Sequence, residues 1–521
     1  MTVRVALICI GFVLVVIALR AIHARILRRP QLSLRHLRGR RLNDLSTLRE
    51  KFPAIRNTFR LGSIHLPYRA AYGHFAVVGA TGSGKTLLQR LLMESVLPRI
   101  GTALNQRALV YDAKQDMVSL LAGMGLHAPV HLLNPLDVRA VAWDMAADIT
   151  CPASALQAAT LLIPKATHDA NPFFSNAARH LVHGVLMALI SKAPKRWTLR
   201  HVILILRDES LLQQVLKTST FTRHLLQYCD QPATFQNILS TVLTRMAPYE
   251  IIAATWDRAA KKLSLRDWLA GNSILVLGND EDNRAALDTI NQLVFKRLSE
   301  LILAQPELRA GEMRITWLIL DEVRQAGKLD GLPALMTKGR SKGAAVLLGF
   351  QDINGLRSVY GREVADELVG QCNTKAILRL NSPETARWAS QVVGASEFIE
   401  TRKSRSLSRN FRDMSLHEGG SSGVSFSDGI TKRDLILDSE FLDFPETSPE
   451  HGLTGVVVSP LTGVFRDLLS GDWLRTHIAP PSHAVPNFVP RPDSHQYLRP
   501  WSDTDALELG LSPPLSMVAH G

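Results

Sequence analysis

Eight consecutive residues have the G-x-x-x-x-G-K-[ST] spacing of a phosphate-binding loop. They are Gly79, Ala80, Thr81, Gly82, Ser83, Gly84, Lys85 and Thr86. The glycines allow the backbone to turn its N–H groups towards a phosphate chain, and the helix that follows adds its positive N-terminal end. Lys85 can reach the β- and γ-phosphates, and the Thr86 hydroxyl can bind Mg²⁺. The motif therefore predicts binding of a nucleoside triphosphate, with ATP and Mg²⁺ as the expected cofactors.

Two acidic residues, Asp321 and Glu322, follow the continuous apolar run at residues 317–320. Such a run is the pattern of a buried parallel strand. At its end Asp321 would complete the Mg²⁺ shell, and Glu322 would polarise the attacking water. An apolar strand that ends in two acids is a weak signal alone. Together with the phosphate loop it predicts ATP hydrolysis as well as binding.

A third apolar run, residues 346–350, ends in Gln351. A glutamine at this place can sense the γ-phosphate or orient a water molecule, which makes Gln351 a candidate catalytic residue. A glutamine at the end of any strand has the same pattern, and the sequence leaves the two interpretations equal.

Alternating strands and helices must position these residues. Apolar runs at 75–78, 108–111, 130–133 and 273–277 predict further strands. The alternation predicts an α/β fold, in which a parallel sheet binds its ligand at the carboxyl ends of the strands. Between 150 and 268 the pattern becomes helical, and one apolar helix face is formed by Ala178, Leu181, Val182, Val185, Leu186 and Leu189. An all-helical domain is therefore predicted as an insertion into the core.

The length of 521 residues allows two or three domains. The predicted organisation has an N-terminal transmembrane helix, a split nucleotide-binding domain and an unstructured end. Its boundaries are the membrane anchor at 1–24, a basic juxtamembrane linker at 25–60, the first part of the nucleotide-binding domain at 61–149, the all-helical domain at 150–268, the second part at 269–478 and a Pro-rich flexible tail at 479–521.

The charge is strongly basic, with 60 Lys and Arg against 47 Asp and Glu and a net charge of +13. This balance favours a polyanionic partner, either nucleic acid or an anionic membrane surface. The four cysteines, Cys9, Cys151, Cys229 and Cys372, have neither metal-ligand spacing nor the pattern of a disulfide framework. They are typical of a reducing cytosol.

An unbroken apolar run of 15 residues, 5–19, lies near the N-terminus and is followed by many arginines. Snorkelling of the flanking Arg4 and Arg20 can extend the run to a full membrane span. The arginines after it place the rest of the chain in the cytoplasm by the positive-inside rule. A cleaved signal peptide is the alternative, but the run lacks an A-x-A cleavage site. The linker up to about residue 55 reads as helical and basic, and contact with anionic lipid explains it as well as contact with DNA.

Several short segments occur together between residues 61 and 385, within a region of resemblance that runs over roughly residues 1–475. They are Leu61-Gly-Ser-Ile-His-Leu-Pro67 with His74, Tyr111-Asp-Ala-Lys114, Leu133-Asn-Pro-Leu-Asp137, Ala142-Trp-Asp144, Asn171-Pro-Phe-Phe174 with Ala178 and Arg179, Leu320-Asp-Glu322 with Thr337-Lys-Gly-Arg340-Ser, and Gln351, Cys372-Asn373 and Glu384-Thr385. In combination they resemble the type IV coupling proteins of bacterial conjugation and type IV secretion, and most of all the TraD-like subgroup.

The resemblance implies a membrane-anchored, RecA-like ATPase that assembles as a homo-hexameric ring in the bacterial inner membrane. Its implied partners are single-stranded DNA, bound without sequence preference, a relaxase with its accessory proteins, and the secretion channel. It also implies that Lys85 and Thr86 bind nucleotide and Mg²⁺, that Asp321 and Glu322 support hydrolysis, and that Gln351 couples the nucleotide state to motion.

Arg340 lies 19 residues beyond Asp321, where the resemblance implies an arginine that reaches the ATP of a neighbouring subunit. A guanidinium supplied by a neighbour stabilises charge on the γ-phosphate and makes turnover depend on assembly. A surface arginine on a basic turn is the alternative interpretation.

The N-terminus departs from the family pattern, which commonly has two membrane helices. The sequence contains a single candidate, and a single-pass topology is expected.

Two C-terminal segments are less informative. Residues 397–432 are rich in Ser, Arg and Gly and read as a flexible basic loop, which either lines a DNA channel or is a plain disordered insertion. The proline-rich end predicts no packed domain. Asp503, Asp505 and Glu508 alternate with apolar residues there, which fits either a docking helix or a solvated tail.

The sequence as a whole favours a membrane-anchored, ATP-driven translocase of single-stranded DNA. Two alternatives stay open. One is a pump for double-stranded DNA of the chromosome-partitioning kind, and the other is a membrane-bound nucleotide switch that recruits protein effectors.

Overall fold

The computed structural model describes residues 34–55, 57–102, 105–165, 172–408 and 421–511. The predicted membrane helix therefore lies outside the described residues, as do the first of the arginines that follow it, Arg25, Arg28 and Arg29. Within the described residues, one helix, Pro172–Lys192, is long and apolar enough to cross a membrane. Its most apolar stretch of 18 residues is 61% buried inside the protein.

The strands of the described residues are β1 (Leu34–Gly39), β2 (Thr58–Leu61), β3 (Ile64–Pro67), β4 (Phe75–Val78), β5 (Asn105–Tyr111), β6 (Val130–Leu133), β7 (Ala142–Trp143), β8 (Lys262–Leu263), β9 (Ile274–Leu277), β10 (Arg314–Leu320), β11 (Ala344–Phe350), β12 (Thr374–Ile377), β13 (Ala395–Ser408), β14 (Ser421–Asp434), β15 (Leu453–Ser459) and β16 (Gly463–Leu469).

The α-helices are α1 (Leu45–Lys51), α2 (Lys85–Val96), α3 (Met117–Gly123), α4 (Met145–Asp148), α5 (Pro152–Leu162), α6 (Pro172–Lys192), α7 (Leu199–Arg207), α8 (Glu209–Lys217), α9 (Pro232–Met246), α10 (Glu250–Asp257), α11 (Leu265–Ala270), α12 (Arg284–Leu303), α13 (Leu332–Lys338), α14 (Ile353–Tyr360), α15 (Arg362–Gln371), α16 (Pro383–Val393), α17 (Asp438–Asp443), α18 (Gly471–His477) and α19 (Asp503–Leu509).

Nine strands form the main sheet in the order β16-β15-β12-β4-β11-β10-β5-β9-β6. From β12 to β6 every neighbouring pair is parallel, and β15 and β16 add an antiparallel edge. The sheet therefore brings the carboxyl ends of β4, β11 and β10 side by side. These are the three strands that precede the phosphate loop, Gln351 and the acidic pair.

The central strands form because their residues are apolar on both faces. Every residue of β4 and β11 is buried, and so is every residue of β10 after Arg314. Strands covered on both faces read as continuous apolar runs. Phe59, Phe75 and Trp317 meet in this core, with Phe59 edge-on to both other rings at 5.6 and 5.5 Å between centroids.

Residues 152–270 are mainly helical and contain α5 to α11, with two 3₁₀ segments and the two-residue β8, which pairs with β7. The long helix α6 is at the centre of this part. Its residues Leu181, Val182, Val185 and Leu186 are fully buried, as the helical periodicity of the sequence predicts.

A separate compact unit contains residues 34–42 and 387–437 of the described chain. Here the structure differs from the predicted flexible loop at 397–432, since β13 and β14 pair without interruption from Ala395↔Asp434 to Ser408↔Ser421. It also differs from the predicted helical linker, because β1 pairs with β13. The period-2 spacing of Val424 and Phe426 between serines carries the strand signal, and the Ser and Gly content masked it.

The C-terminal segment also differs from the predicted flexible tail. Arginine side chains hold residues 479–511 against the rest of the chain. Some donate to backbone carbonyls, and others pair with acidic residues of the segment. Arg491 in the segment donates from Nε to the Pro135 carbonyl at 2.8 Å, and Arg200 of α7 donates to both oxygens of Asp505 at 2.8 and 2.9 Å. Regular structure in this segment is limited to the 3₁₀ turn Asp493–Gln496 and α19. The prolines do not prevent packing, because their carbonyls remain as acceptors, as the Pro500 carbonyl is for Arg200 Nη2 at 2.6 Å.

Candidate nucleotide-binding site

The phosphate loop connects the end of β4 to the start of α2. Gly84 precedes α2 with a φ of 89°, in the left-handed region. A Cβ at this position would lie 2.7 Å from both Leu453 Cδ1 and Thr447 Oγ1. Glycine is therefore required by both backbone conformation and space, and the loop that the motif predicts is built as a tight turn into a helix N-terminus.

Lys85, the first residue of α2, is buried and points back over the loop. Its Nζ donates to the Gly79 carbonyl at 2.9 Å and lies 3.2 Å from Glu322 Oε1. The side chains of Lys85 and Glu322 are only 6% and 5% exposed. A buried ammonium is stable only when it is paired and hydrogen-bonded, and here its partners are the acid and the loop itself.

Asp321 follows β10 and faces α2. Gln89 Nε2 donates to its Oδ1 at 3.1 Å, and Thr86 Oγ1 lies 3.4 Å from its Oδ2. Burial raises the pKa of Asp321, and the nearby charges of Lys114 and Lys85 oppose that rise. A hydroxyl and a carboxylate brought together in this way are the protein oxygens that Mg²⁺ takes beside nucleotide phosphates.

Gln351 connects the acidic pair with the loop. Its Nε2 donates to Glu322 Oε1 at 2.9 Å, and its Oε1 accepts from Thr81 Oγ1 at 3.3 Å. The structure thus brings Gln351 to both the candidate base and the rim of the phosphate loop. The strand order explains this, because β11 lies between β4 and β10.

Glu322 has an unusual backbone, with a φ of 52°. The next residue, Val323, donates its N–H to the Gly349 carbonyl at 2.9 Å and so fixes this conformation. Non-glycine residues in the left-handed region are strained and collect at functional sites, where the surroundings hold them. In this conformation the Glu322 carboxylate contacts Lys85 Nζ.

The loop fits a phosphate chain in two respects. It borders a cavity of about 330 Å³ that is lined by Lys85, Thr86, Lys114, Glu322 and Gln351 among others. The Ser83 Oγ is buried and has no hydrogen-bond partner among the described residues. Cationic groups and an unpaired hydroxyl at a helix N-terminus suit a polyanion.

Sequence reasoning assigned no role to three further residues at this site. Lys114, which follows β5, lines the cavity. Thr447 also lines it, and its N–H donates to the Gly82 carbonyl at 3.1 Å. Arg379 donates from Nη2 to the Thr81 carbonyl at 3.2 Å. Lys114 was visible within the Tyr-Asp-Ala-Lys segment after a predicted strand. The other two arrive from distant parts of the chain, and no local pattern marks them.

Arg340 lies away from these residues. It belongs to the 3₁₀ segment Gly339–Lys342, which precedes the amino end of β11, whereas the phosphate loop is at the carboxyl end of the parallel β4. The seven residues of β11 span the distance between the two ends, which is roughly 20 Å. The Arg340 side chain is exposed, and neither a hydrogen bond nor an ion pair of its guanidinium occurs within the described residues. It borders an open cavity of about 660 Å³ together with Lys338 and Lys342.

Comparison with known proteins gives a consistent picture. Residues 58–458 match the family model described as the type IV secretion-system coupling protein DNA-binding domain. The coupling protein TraD of Escherichia coli (strain K12) is 23% identical over 399 residues, which is 74% of this chain and 52% of TraD. The chain therefore spans about half the length of this curated relative.

Solved structures of similar fold include the bacterial conjugative coupling protein TrwBdeltaN70 in its unbound monoclinic form. The TM-score is 0.65 at 21% identity, with 88% of this chain and 97% of that chain covered. The plasmid coupling protein TrwB in complex with ADP and Mg²⁺ gives 0.65 at 21% identity, with 87% and 97% covered. At this identity the likeness is one of fold, an α/β architecture with a large, mostly parallel sheet.

Proposed function

Because the chain belongs to the type IV secretion-system coupling protein family, we propose that it is an ATP-driven translocase for single-stranded DNA. In this proposal it couples a relaxase–DNA complex to a type IV secretion channel at the bacterial inner membrane during conjugative transfer.

The contact between Lys85 and Glu322, bridged to the loop by Gln351, carries the catalytic part of the proposal. Bound Mg²⁺ would neutralise charge on the phosphates, and Thr86 and Asp321 are the residues to hold it. When phosphate oxygens replace the Glu322 carboxylate as the partners of Lys85, the ion pair between Lys85 and Glu322 would break. Glu322 is then free to accept a proton from water, and Gln351 can orient that water. Solved complexes of TrwB with ADP and Mg²⁺ and with the ATP analogue ADPNP support the choice of cofactor.

Assembly is proposed from the position of Arg340. A guanidinium about 20 Å from its own phosphate loop cannot act there, but it is exposed and free to enter the site of a neighbour. A homo-hexameric ring with a RecA-like core in each subunit would place every Arg340 against the next subunit's nucleotide. Turnover would then require assembly, because the guanidinium stabilises the charge that develops on the γ-phosphate.

DNA binding is proposed to be independent of sequence. The net charge of +13 suits contacts with phosphates, which release counterions without reading bases. Choice of the transferred strand then falls to the relaxase. The apolar residues 5–19 and the arginines after them support a single-pass anchor with the bulk of the chain in the cytoplasm.

The decisive experiment measures ATP turnover of the full-length protein in detergent without DNA, with single-stranded DNA and with double-stranded DNA of the same length. The translocase predicts stimulation by single strands, and Lys85→Ala is the inactive control. Stimulation by double strands alone would favour a duplex pump. Slow turnover that is indifferent to both would favour a nucleotide switch.

A further inference from the structure

His74 immediately precedes β4, the strand that leads into the phosphate loop. The residue is almost completely buried, with an exposure of 1%. Its backbone has a φ of 53°, in the left-handed region. Residues other than glycine are strained there and persist only where the surrounding structure holds them. The conformation of His74 is therefore one that its neighbours impose.

Both ring nitrogens of His74 are hydrogen-bonded, and their partners fix which nitrogen carries the proton. Nδ1 accepts from the Val346 N–H of β11 at 3.1 Å, so the proton is on Nε2. Nε2 donates to the Met336 carbonyl of α13 at 3.0 Å. Burial lowers the pKa of His74 to about 4, the bond to Met336 opposes this change, and the charge of Arg340 adds to it. The imidazole is therefore neutral at physiological pH and connects two different elements.

The backbone of His74 fixes the residue to the sheet. The Thr374 N–H of β12 donates to the His74 carbonyl at 3.3 Å, and the His74 N–H donates to the Ala71 carbonyl at 3.2 Å. With the bond from Val346, these contacts hold His74 near the amino ends of three neighbouring strands, β4, β11 and β12. The bond to Met336 then attaches α13 to this fixed point.

The 3₁₀ segment Gly339–Lys342, called here the Arg340 turn, follows α13 directly. The Met336 carbonyl is one of the last four of α13, the groups for which a helix has no donor of its own. The other end of the Arg340 turn is held by β10, because the Thr316 N–H donates to the Gly343 carbonyl at 2.8 Å. The turn is thus attached to the sheet on both sides, by β10 after it and by the histidine ring before it.

We propose that His74 is a positioning residue for Arg340, because it holds the Arg340 turn in the orientation from which the guanidinium reaches the nucleotide of a neighbouring subunit. The inference rests on the proposed function, since it requires Arg340 to act across a subunit interface. Neither a hydrogen bond nor an ion pair of the Arg340 guanidinium occurs within the described residues, so its direction depends on the backbone of the turn. A displacement of about 1 Å at a catalytic group can cost 10²-fold in rate.

The nucleotide site of the same subunit is at the other end of β4. The four residues Phe75–Val78 separate His74 from the phosphate loop, which is roughly 13 Å of strand. Loss of the bond to Met336 should therefore change the arginine that a subunit offers to its neighbour and leave its own ATP binding unchanged.

Two substitutions separate the two ring contacts. His74→Asn places an acceptor near the position of Nδ1 for Val346 and tolerates the left-handed backbone, but it is too short to reach Met336. His74→Gln carries its amide near the position of Nε2 and can donate to Met336. His127→Asn, at an exposed histidine after α3, is the matched control.

The first test measures ATP turnover of the full-length protein with single-stranded DNA, together with ATP affinity by calorimetry and thermal unfolding. His74→Asn is expected to lose turnover by roughly tenfold to a hundredfold and to bind ATP as the wild type does. His74→Gln should recover most of the turnover, and His127→Asn should change neither quantity.

Mixed assemblies then show which function of the subunit is lost. Mixing His74→Asn with Lys85→Ala is expected to restore turnover, because the first variant supplies an intact loop and the second a correctly placed arginine. Mixing His74→Asn with Arg340→Ala is expected to restore none, because neither variant supplies such an arginine. If His74 served only its own phosphate loop, the pattern would be the reverse.

The reverse pattern would overturn the inference, as would recovery in both mixtures or in neither, or wild-type turnover in His74→Asn. A reference mixture of Lys85→Ala with Arg340→Ala separates this result from the proposed function. If the reference mixture recovers activity and the His74→Asn mixtures do not follow the expected pattern, only the role of His74 is wrong. If the reference mixture recovers none, the proposed assembly fails, and the role of His74 falls with it.

Discussion

The carboxyl and amino ends of the parallel strands, called here the carboxyl edge and the amino edge of the main sheet, differ in how far their charged side chains are buried and paired. At the carboxyl edge Lys85, Glu322 and Gln351 are in contact, and the lysine and the acid are almost completely buried. At the amino edge Lys338 and Arg340 are exposed beside an open cavity. The charged groups at the carboxyl edge are already paired with one another, whereas no ion pair of Lys338 or Arg340 occurs within the described residues. Under the proposed function, this contrast assigns nucleotide binding to the single chain and full turnover to an assembly.

Removal of the buried cation should have the largest effect. Lys85→Ala is expected to abolish ATP turnover, because the loop loses its point charge on the phosphates and Glu322 is left buried without its partner. Lys338→Ala at the other edge is the matched control and should keep most of the activity. Turnover and thermal unfolding of both variants check this. A Lys85→Ala protein that is folded and still hydrolyses ATP at the wild-type rate would disprove the assignment of the loop.

Removal of the candidate base should be nearly as severe. Glu322→Gln keeps the size of the side chain and its hydrogen bond to Gln351 but cannot accept a proton. Loss of a general base costs roughly 10²–10⁴ in rate, whereas ATP affinity should be retained. Calorimetry and single-turnover kinetics separate the two quantities. If ATP binding falls together with turnover, Glu322 serves mainly to hold Lys85.

Arg340→Ala tests the amino edge directly. We expect turnover to fall by about 10²-fold, the usual cost of one preorganised donor at a transition state, with ATP affinity of the isolated subunit unchanged. Mixing Arg340→Ala with Lys85→Ala sharpens the test. If Arg340 acts on a neighbour, some interfaces in the mixture pair an intact loop with an intact arginine, and activity returns. If mixing restores no activity, the arginine does not act across a subunit interface.

Much of the carboxyl edge was predictable because its signals are local. The phosphate loop is a contiguous motif, and Asp321 and Gln351 each end an apolar run that forms a buried strand. The parallel arrangement then brings the three strand ends together by a general rule. The family was predicted from scattered segments and is confirmed by the match over residues 58–458. The catalytic roles given to Glu322, Gln351 and Arg340 stay predictions.

Other parts of the molecule depend on pairings that no window of sequence contains. Arg379 and Thr447 reach the loop from about 300 and 365 residues away along the chain, counted from Thr81 and Gly82. The backbone hydrogen bonds of β13 and β14 are made between the two strands, from Ala395↔Asp434 to Ser408↔Ser421. The Ser, Arg and Gly content of this segment is typical of a flexible loop and did not predict that pairing. The C-terminal segment is bound through its carbonyls, and these are common to all sequences. Composition therefore predicts that a segment has few apolar residues or little helix more readily than it predicts the groups to which the backbone is hydrogen-bonded.

The smallest effect on turnover is expected at Asp505 of the C-terminal segment, which is held by Arg200 of α7 and contacts neither the phosphate loop nor Arg340. Burial raises the pKa of Asp505, and hydrogen bonds from Arg200, Ser502 and His201 outweigh it and hold that pKa well below its usual range. The ionised carboxylate therefore stabilises the fold above about pH 4, the pKa of an unfolded aspartate. This contribution is lost as the pH falls through the folded pKa. Arg200 is 2% exposed and would be left without its bidentate partner.

Asp505→Asn should therefore cost about 3–5 kcal/mol in the docking of this segment at neutral pH. Hydrogen exchange of residues 479–511 should become faster while the phosphate loop stays protected, and ATP turnover should remain near the wild-type value. The difference from wild type should shrink as the pH falls below about 4. Glu508→Gln, on the exposed side of the same helix, is the control and should change nothing. Unaltered exchange in Asp505→Asn would mean that the arginine contacts to backbone carbonyls hold the segment by themselves. A parallel loss of turnover would instead join the segment to the carboxyl edge, because the Ala479 carbonyl accepts from Arg90 of α2, the helix that begins at Lys85.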